Sequence, residues 1–156
     1  MADTFDLQGF DSAIAKLRAL PVQFRGKAGR SALGKAARLV TNAAKRNAEG
    51  INDPETGRKI SDNVVQRVRS GYQKRTGDIM ISVGVATERG AIPKGNPDTG
   101  PKGNTPHWHL VELGTEQMAA QPFLRPALEG NVDQVVAGAA TNLERELDKI
   151  AKKAGA

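Results

Sequence analysis

Apolar residues recur at helical spacing from the start of the chain. Leu7, Phe10, Ile14 and Leu17 stand three or four residues apart over 7–20, which predicts a helix. Pro21 either breaks the pattern or occupies the first turn of the next helix. From Val22 to Ala48 the chain reads as one long amphipathic helix. Leu33, Ala36, Ala37, Val40 and Ala44 share a stripe at about 100° per residue. Lys27, Lys35, Arg38, Lys45 and Arg46 fall roughly opposite, as a basic ridge. Gly26, Gly29 and Gly34 weaken the helix, so its first turns are expected to kink or fray, and Gly50 suits its end.

The period then changes. Residues 52–57 carry turn chemistry, 60–65 suit a short helical turn, and 64–73 read as extended. Residues 74–78 form a hairpin-type turn. Ile79, Ile81, Val83 and Val85 alternate with Met80, Ser82 and Gly84, the pattern of a strand. Residues 87–106 are rich in Gly, Pro, Asn and Lys and predict a mobile loop. Order resumes over 107–113. Residues 122–154 read as one long helix, with Pro126 in its first turn and Leu128, Val132, Val135, Ala139, Leu143, Leu147 and Ile150 on one face. The order of periods predicts an α+β fold with two N-terminal helices, a small antiparallel sheet and a long C-terminal helix. The sheet is expected as a β-hairpin plus an additional strand or short segment. With no repeat and no second composition regime, 1–156 is read as a single domain with a mobile loop at 87–106.

Composition sharpens this picture. Hydrophobic residues are 38% and aromatics 4% of the 156 residues. Much of the apolar content is alanine, which packs helices closely but buries little area per residue. A thin core that leans on partner subunits is expected. No cysteine is present, which excludes disulfides and thiolate metal sites. The opening MADTFDLQGFD does not read as a signal peptide, and no apolar run reaches membrane-spanning length, so folding in a cytoplasm is expected. The net charge is +6, and residues 12–48 hold nine Lys or Arg and no acid. That imbalance suits either a polyanion or an acidic protein partner.

Candidate chemistry is sparse. His107 and His109 flank Trp108, and Glu112 could join them as a metal ligand, but two histidines without a further ligand make a poor zinc pattern. Glu112 and Glu116 have no nucleophile or oxyanion donor beside them. Gly100, Lys102 and Gly103 do not form a phosphate-binding loop. No catalytic, cofactor or metal residue is assigned. Glu112 sits among Leu110, Val111 and Leu113, and a buried carboxylate needs a partner. Arg125, inside the apolar PFLRP, is the expected one.

Residues 109–129 read HLVELGTEQMAAQPFLRPALE. This block resembles the hallmark of a tailed-bacteriophage tail-component family typified by the gene-ten product of a lambdoid phage. The matching positions are Glu112, Gly114, Thr115, Gln121, Pro122, Phe123, Pro126 and Ala127, and Arg125, the expected partner of Glu112, lies within the same block. Upstream, the basic helices, the Thr56-Gly57 turn and the valine-glycine strand keep the family's order. Two departures are a long polar loop and Lys59-Ile60 in place of a leucine after the turn. The resemblance implies a structural virion protein with no catalytic site or cofactor, assembled in the host cytoplasm. A homo-oligomeric ring at the neck or head-proximal end of the tail, contacting other neck and tail proteins, is expected: a thin core suits a subunit completed by neighbours, and a basic ring surface suits a channel through which DNA passes. The competing readings are a basic, sequence-independent DNA-binding protein acting free in the cell and a hydrolase built on His107, His109 and Glu112.

Overall fold

The computed structural model describes residues 10–19, 22–51, 53–86, 100 and 103–154. Leu7, Pro21 and positions 87–99 and 101–102 of the expected loop lie outside them. The fold is α+β. In order it runs α1 (Phe10–Ala19), α2 (Val22–Ala48), α3 (Ile60–Asn63), β1 (Val64–Val68), α4 (Ser70–Thr76), β2 (Ile81–Val85), α5 (Trp108–Leu113), α6 (Leu124–Glu129) and α7 (Val132–Ala154). Among the described residues no helix is long and apolar enough to cross a membrane.

The chain forms two compact units. The first comprises Met1–Ala36, Val68–Met80 and Asp133–Ala156, and is mainly helical in its described part. Its core is Ala28 and Ala32 of α2 against Leu143 and Leu147 of α7, with Leu17 and Ile150 packed on them. Alanines at i and i+4 let the leucines approach α2 closely, and each buried leucine contributes about 1.5–3 kcal/mol. Gly29 serves packing here, and the helix runs without interruption from Val22 to Ala48. A Cβ on Gly29 would collide with Ile79 Cδ1, so the missing side chain makes room for that isoleucine.

The second unit comprises Ala37–Arg67 and Ile81–Val132. Its most buried residues are Phe123, Val64, Asn63, Ala44, Ala48 and Ala127. Ala28, Ala32, Ala36, Val40, Ala44 and Ala48 are buried in one continuous i, i+4 row along α2.

The two-stranded sheet is antiparallel. Ala86 N–H donates to Asn63 O at 2.8 Å and Arg69 N–H to Met80 O at 2.9 Å, which sets Val64 opposite Val85. Three expectations need correction. The extended stretch and turn expected over 64–78 are instead a short strand and then helix α4. The latter ends on Gly77 in the left-handed region (φ 82°), whose N–H donates to Gln73 O. Gln73 Oε1 in turn accepts from Arg30 Nη1 at 3.1 Å, so a tertiary contact holds a segment of weak local preference. The strand expected from Ile79 starts at Ile81, because Ile79 is used at Gly29. The helix expected from 122 onward is two helices. Gly130 ends α6, and Asn131 Nδ2 donates to Ala127 O at 2.9 Å, which satisfies a carbonyl at the break. Leu128 therefore sits on α6 and is exposed rather than in the core.

Candidate functional site

The block singled out in the sequence is one compact cassette of the second unit. Helix α5 ends where Gly114 N–H donates to Leu110 O at 2.8 Å. Gly114 has φ +77°, and a Cβ there would meet Ala120 N at 2.8 Å and Met118 O at 3.0 Å. Only glycine fits both the backbone angle and the returning loop. Thr115 Oγ1 accepts from the N–H groups of Gln117 and Met118, which turns the chain. Gln121 N–H closes the loop's base on Val111 O at 2.8 Å.

Glu112 then reaches the start of α6. Its carboxylate accepts from the backbone N–H of Phe123 at 2.7 Å, Leu124 at 3.0 Å and Arg125 at 3.0 Å. These are donors that a helix start leaves without an intrahelical acceptor. Burial pushes the Glu112 carboxyl up, but the three N–H groups and the Arg125 charge outweigh it and hold its pKa below the ordinary value. The expected Arg125–Glu112 side-chain clasp is therefore corrected. Arg125 bonds Glu112 through its backbone, and its exposed guanidinium adds only longer-range attraction. Phe123, next to the cap, is 0% exposed. Its ring stands edge-on to Trp108 at 6.4 Å, and its carbonyl accepts from Asn47 Nδ2 at 3.1 Å. Gln121, Pro122 and Pro126 are exposed. The motif is thus a device that seats Phe123 and starts α6, using backbone donors for specificity.

A second polar hub escaped the sequence reading. Asp53 accepts from the N–H groups of Glu55 and Thr56, from the Thr56 hydroxyl and from Arg58 Nη2 at 3.2 Å. The Thr56 hydroxyl, and after it Arg58, lowers the Asp53 pKa to about 2 against the opposing effect of burial. Gly57 comes next with φ +70°, and Thr56 O accepts from Gly100 N–H at 2.6 Å. Arg58 Nε donates to Thr56 Oγ1 at 2.8 Å. Arg58 Nη1 also donates to Asn104 O at 3.4 Å, and buried Asn63, at the end of α3, holds the same distal end of the loop by donating to Gly103 O at 2.7 Å and Thr105 Oγ1 at 3.0 Å. The Asp-x-x-Thr-Gly spacing is the signal for this Asx-type turn. Nothing in the sequence marks Asn63.

Beside this hub lies an open cavity of about 340 Å³, lined by Ile51, Ile60, Trp108, Val111 and Met118, among others, with Asp53 and Arg58 at its wall. His107 also borders it, and His107, His109 and Glu116 are all exposed. Among the described residues no three His, Cys, Asp or Glu side chains are grouped as a metal would need.

The basic ridge is less uniform than the helical wheel implied. Lys27, Lys35, Arg38 and Arg46 are exposed and Lys45 half-buried. Lys35 Nζ lies 2.5 Å from Glu146 Oε1, which also pairs with Lys149 at 3.1 Å. Lys35 and then Lys149 hold the Glu146 pKa down to about 2. Charge is partitioned between the units. The first carries thirteen Lys or Arg against eight Asp or Glu, a net +5, and the second ten against nine, a net +1.

The family model of bacteriophage HK97-gp10, putative tail-component, matches residues 11–114. The chain belongs to this family of phage tail components. The matched stretch contains the Thr56-Gly57 turn, both strands and Glu112, and ends at Gly114. No curated protein and no solved structure matches the chain.

Proposed function

We propose that this chain is a non-enzymatic structural subunit that forms a homo-oligomeric ring at the neck or head-proximal end of the tail. There it completes the tail and joins it to the head, contacting other neck and tail proteins, with DNA passing through the ring. It acts as a single tail-component domain, assembled in the host cytoplasm and carried in the virion. Family membership is the observation that supports this reading most. The surface agrees with it. Leu39, Val68, Met80, Leu110, Leu113 and Leu128 are all exposed, and Leu113 is 65% exposed. The sheet has only two strands, so each has an edge that no described strand covers. Open edges and apolar side chains are what neighbouring subunits cover when heterologous contacts close into a ring.

The test is a phage lacking this gene, complemented with a labelled copy. Separate full heads and tails without complementation, and label at the head–tail junction with it, are expected. Normal joined particles without the gene would refute the role. A protein found in infected cells but absent from particles would favour a free DNA-binding protein instead.

A further inference from the structure

Helix α4 is the least expected element of the fold, and it is chemically distinctive. None of its residues is buried. It carries Lys74 and Arg75 in its last turn, and no acid occurs between Asp62 and Asp78. Arg75 stands 5.9 Å from the Tyr72 ring centroid, a cation–π arrangement that steadies the guanidinium. The Gln73 side chain packs against α2, bonded to Arg30 and close to Gly26. Exposed Arg30 and Lys27 are therefore brought into the same unit as α4. The Gln73 amide that Arg30 bonds is uncharged, which leaves the guanidinium charge in place. This unit holds +5 of the +6 net charge.

We propose that Lys27, Arg30, Lys74 and Arg75, with Tyr72, form a contact surface for the phosphate backbone of duplex DNA. The inference rests on the reading that DNA passes this subunit, and it places the contact on α4 rather than along the whole α2 ridge. Three observations favour a polyanion over an acidic protein. The lobe has no buried residue and a single aromatic, whereas a protein interface is built on an apolar, aromatic-rich centre. Phosphates require only positive charge and hydroxyl or amide donors, which Tyr72 and the basic side chains supply. The ridge is already partly neutralised at Lys35 by Glu146. One tyrosine does not make a stacking platform for single strands, which favours the duplex. A seven-residue helix is about 10 Å long. Duplex DNA carries one charge per ~1.7 Å with both strands counted, so a stretch of about 10 Å holds about six phosphates, of which a few face the lobe.

The experiment measures binding of the full-length protein to a short duplex of arbitrary sequence across a salt series. Each lost phosphate contact reduces the slope of log affinity against log salt by about 0.9. Lys74→Ala/Arg75→Ala should flatten the slope by about 1.8, so that the affinity lost over a fourfold rise in salt shrinks by about tenfold. Unchanged circular dichroism and melting would show that the variant is folded. Arg38→Ala/Lys45→Ala/Arg46→Ala should keep the wild-type slope. No duplex binding by the wild type, an unchanged slope in the α4 variant, or competition by polyglutamate as strong as by DNA would overturn the surface. In phage, the α4 variant should join heads to tails normally and deliver less DNA. Joined particles with full delivery would overturn the surface and leave the tail reading intact. Failure of the tail reading shows separately, as absence of the protein from particles.

Discussion

Replacing Glu112 by alanine removes one acceptor and strands three backbone donors at the start of α6. Hydrogen bonds to a charged group contribute about 1.5–3 kcal/mol each. The three share one carboxylate and are not additive, and a lost helix cap alone costs about 0.5–2 kcal/mol. Glu112→Ala should therefore destabilise the protein by about 2–4 kcal/mol. With a urea slope of about 2 kcal/mol per molar, the unfolding midpoint falls by about 1–2 M. Glu112→Gln keeps an acceptor oxygen but loses the charge, and should fall between the two. Arg125→Ala leaves its N–H in place and should cost less than about 0.5 kcal/mol. The pH dependence separates cap from packing. Because the folded pKa of Glu112 lies below the ordinary 4.5, its contribution is present above that value and is lost as pH falls through the folded pKa. The wild type should thus lose its advantage over Glu112→Gln in acid. Equal urea midpoints for Glu112→Ala and wild type, or an Arg125→Ala loss matching that of Glu112→Ala, would refute the cap.

Phe123→Ala empties a fully buried site and should cost about 3–5 kcal/mol; in phage it should yield unjoined heads and tails, and normal joined-particle yield would contradict that. Gly29→Ala sets a helix-propensity gain of about 1 kcal/mol against a shift of the end of the Ile79 side chain, so it should stabilise more in an Ile79→Ala background than in the wild type, in a double-mutant cycle read by thermal melting. Asp53 should titrate near 2 by NMR, so its turn contacts persist above the ordinary carboxylate range and loosen only as pH falls toward that value; Thr56→Val, which removes the principal cause, should move the midpoint up.

Much of this architecture is legible in the chain because it is locally encoded. The α7 stripe from Ala139 to Ile150, the alternation from Ile81 to Val85 and the PF pair after the Gly-Thr turn all declare themselves within one or two turns of sequence. Helix α4 does not, because Ser70–Thr76 gains its helical state from Gln73 on Arg30 and from Gly77 at its end. The α2 wheel shows a uniform basic ridge, because the Glu146 that pairs with Lys35 comes from α7, more than a hundred residues away in sequence. At Glu112 the need for a partner is readable from its apolar neighbours. Whether that partner is a guanidinium or backbone N–H groups depends on how the chain returns eleven residues later, which composition cannot encode.

The loop after Gly114 is stapled at its root from both sides, by Gln121 on Val111 and by Glu112 on the start of α6. Those staples decouple the loop's length from the placement of Phe123 and α6. Extra residues spliced between Glu116 and Met118 would give up the exposed Thr115 turn and add loop-closure entropy, about 0.6 kcal/mol for each doubling of length, without touching the staples. The site is thus a permissive port for a peptide handle. A handle carried there would mark each subunit in an assembled particle while the buried ring and the helix start stay seated.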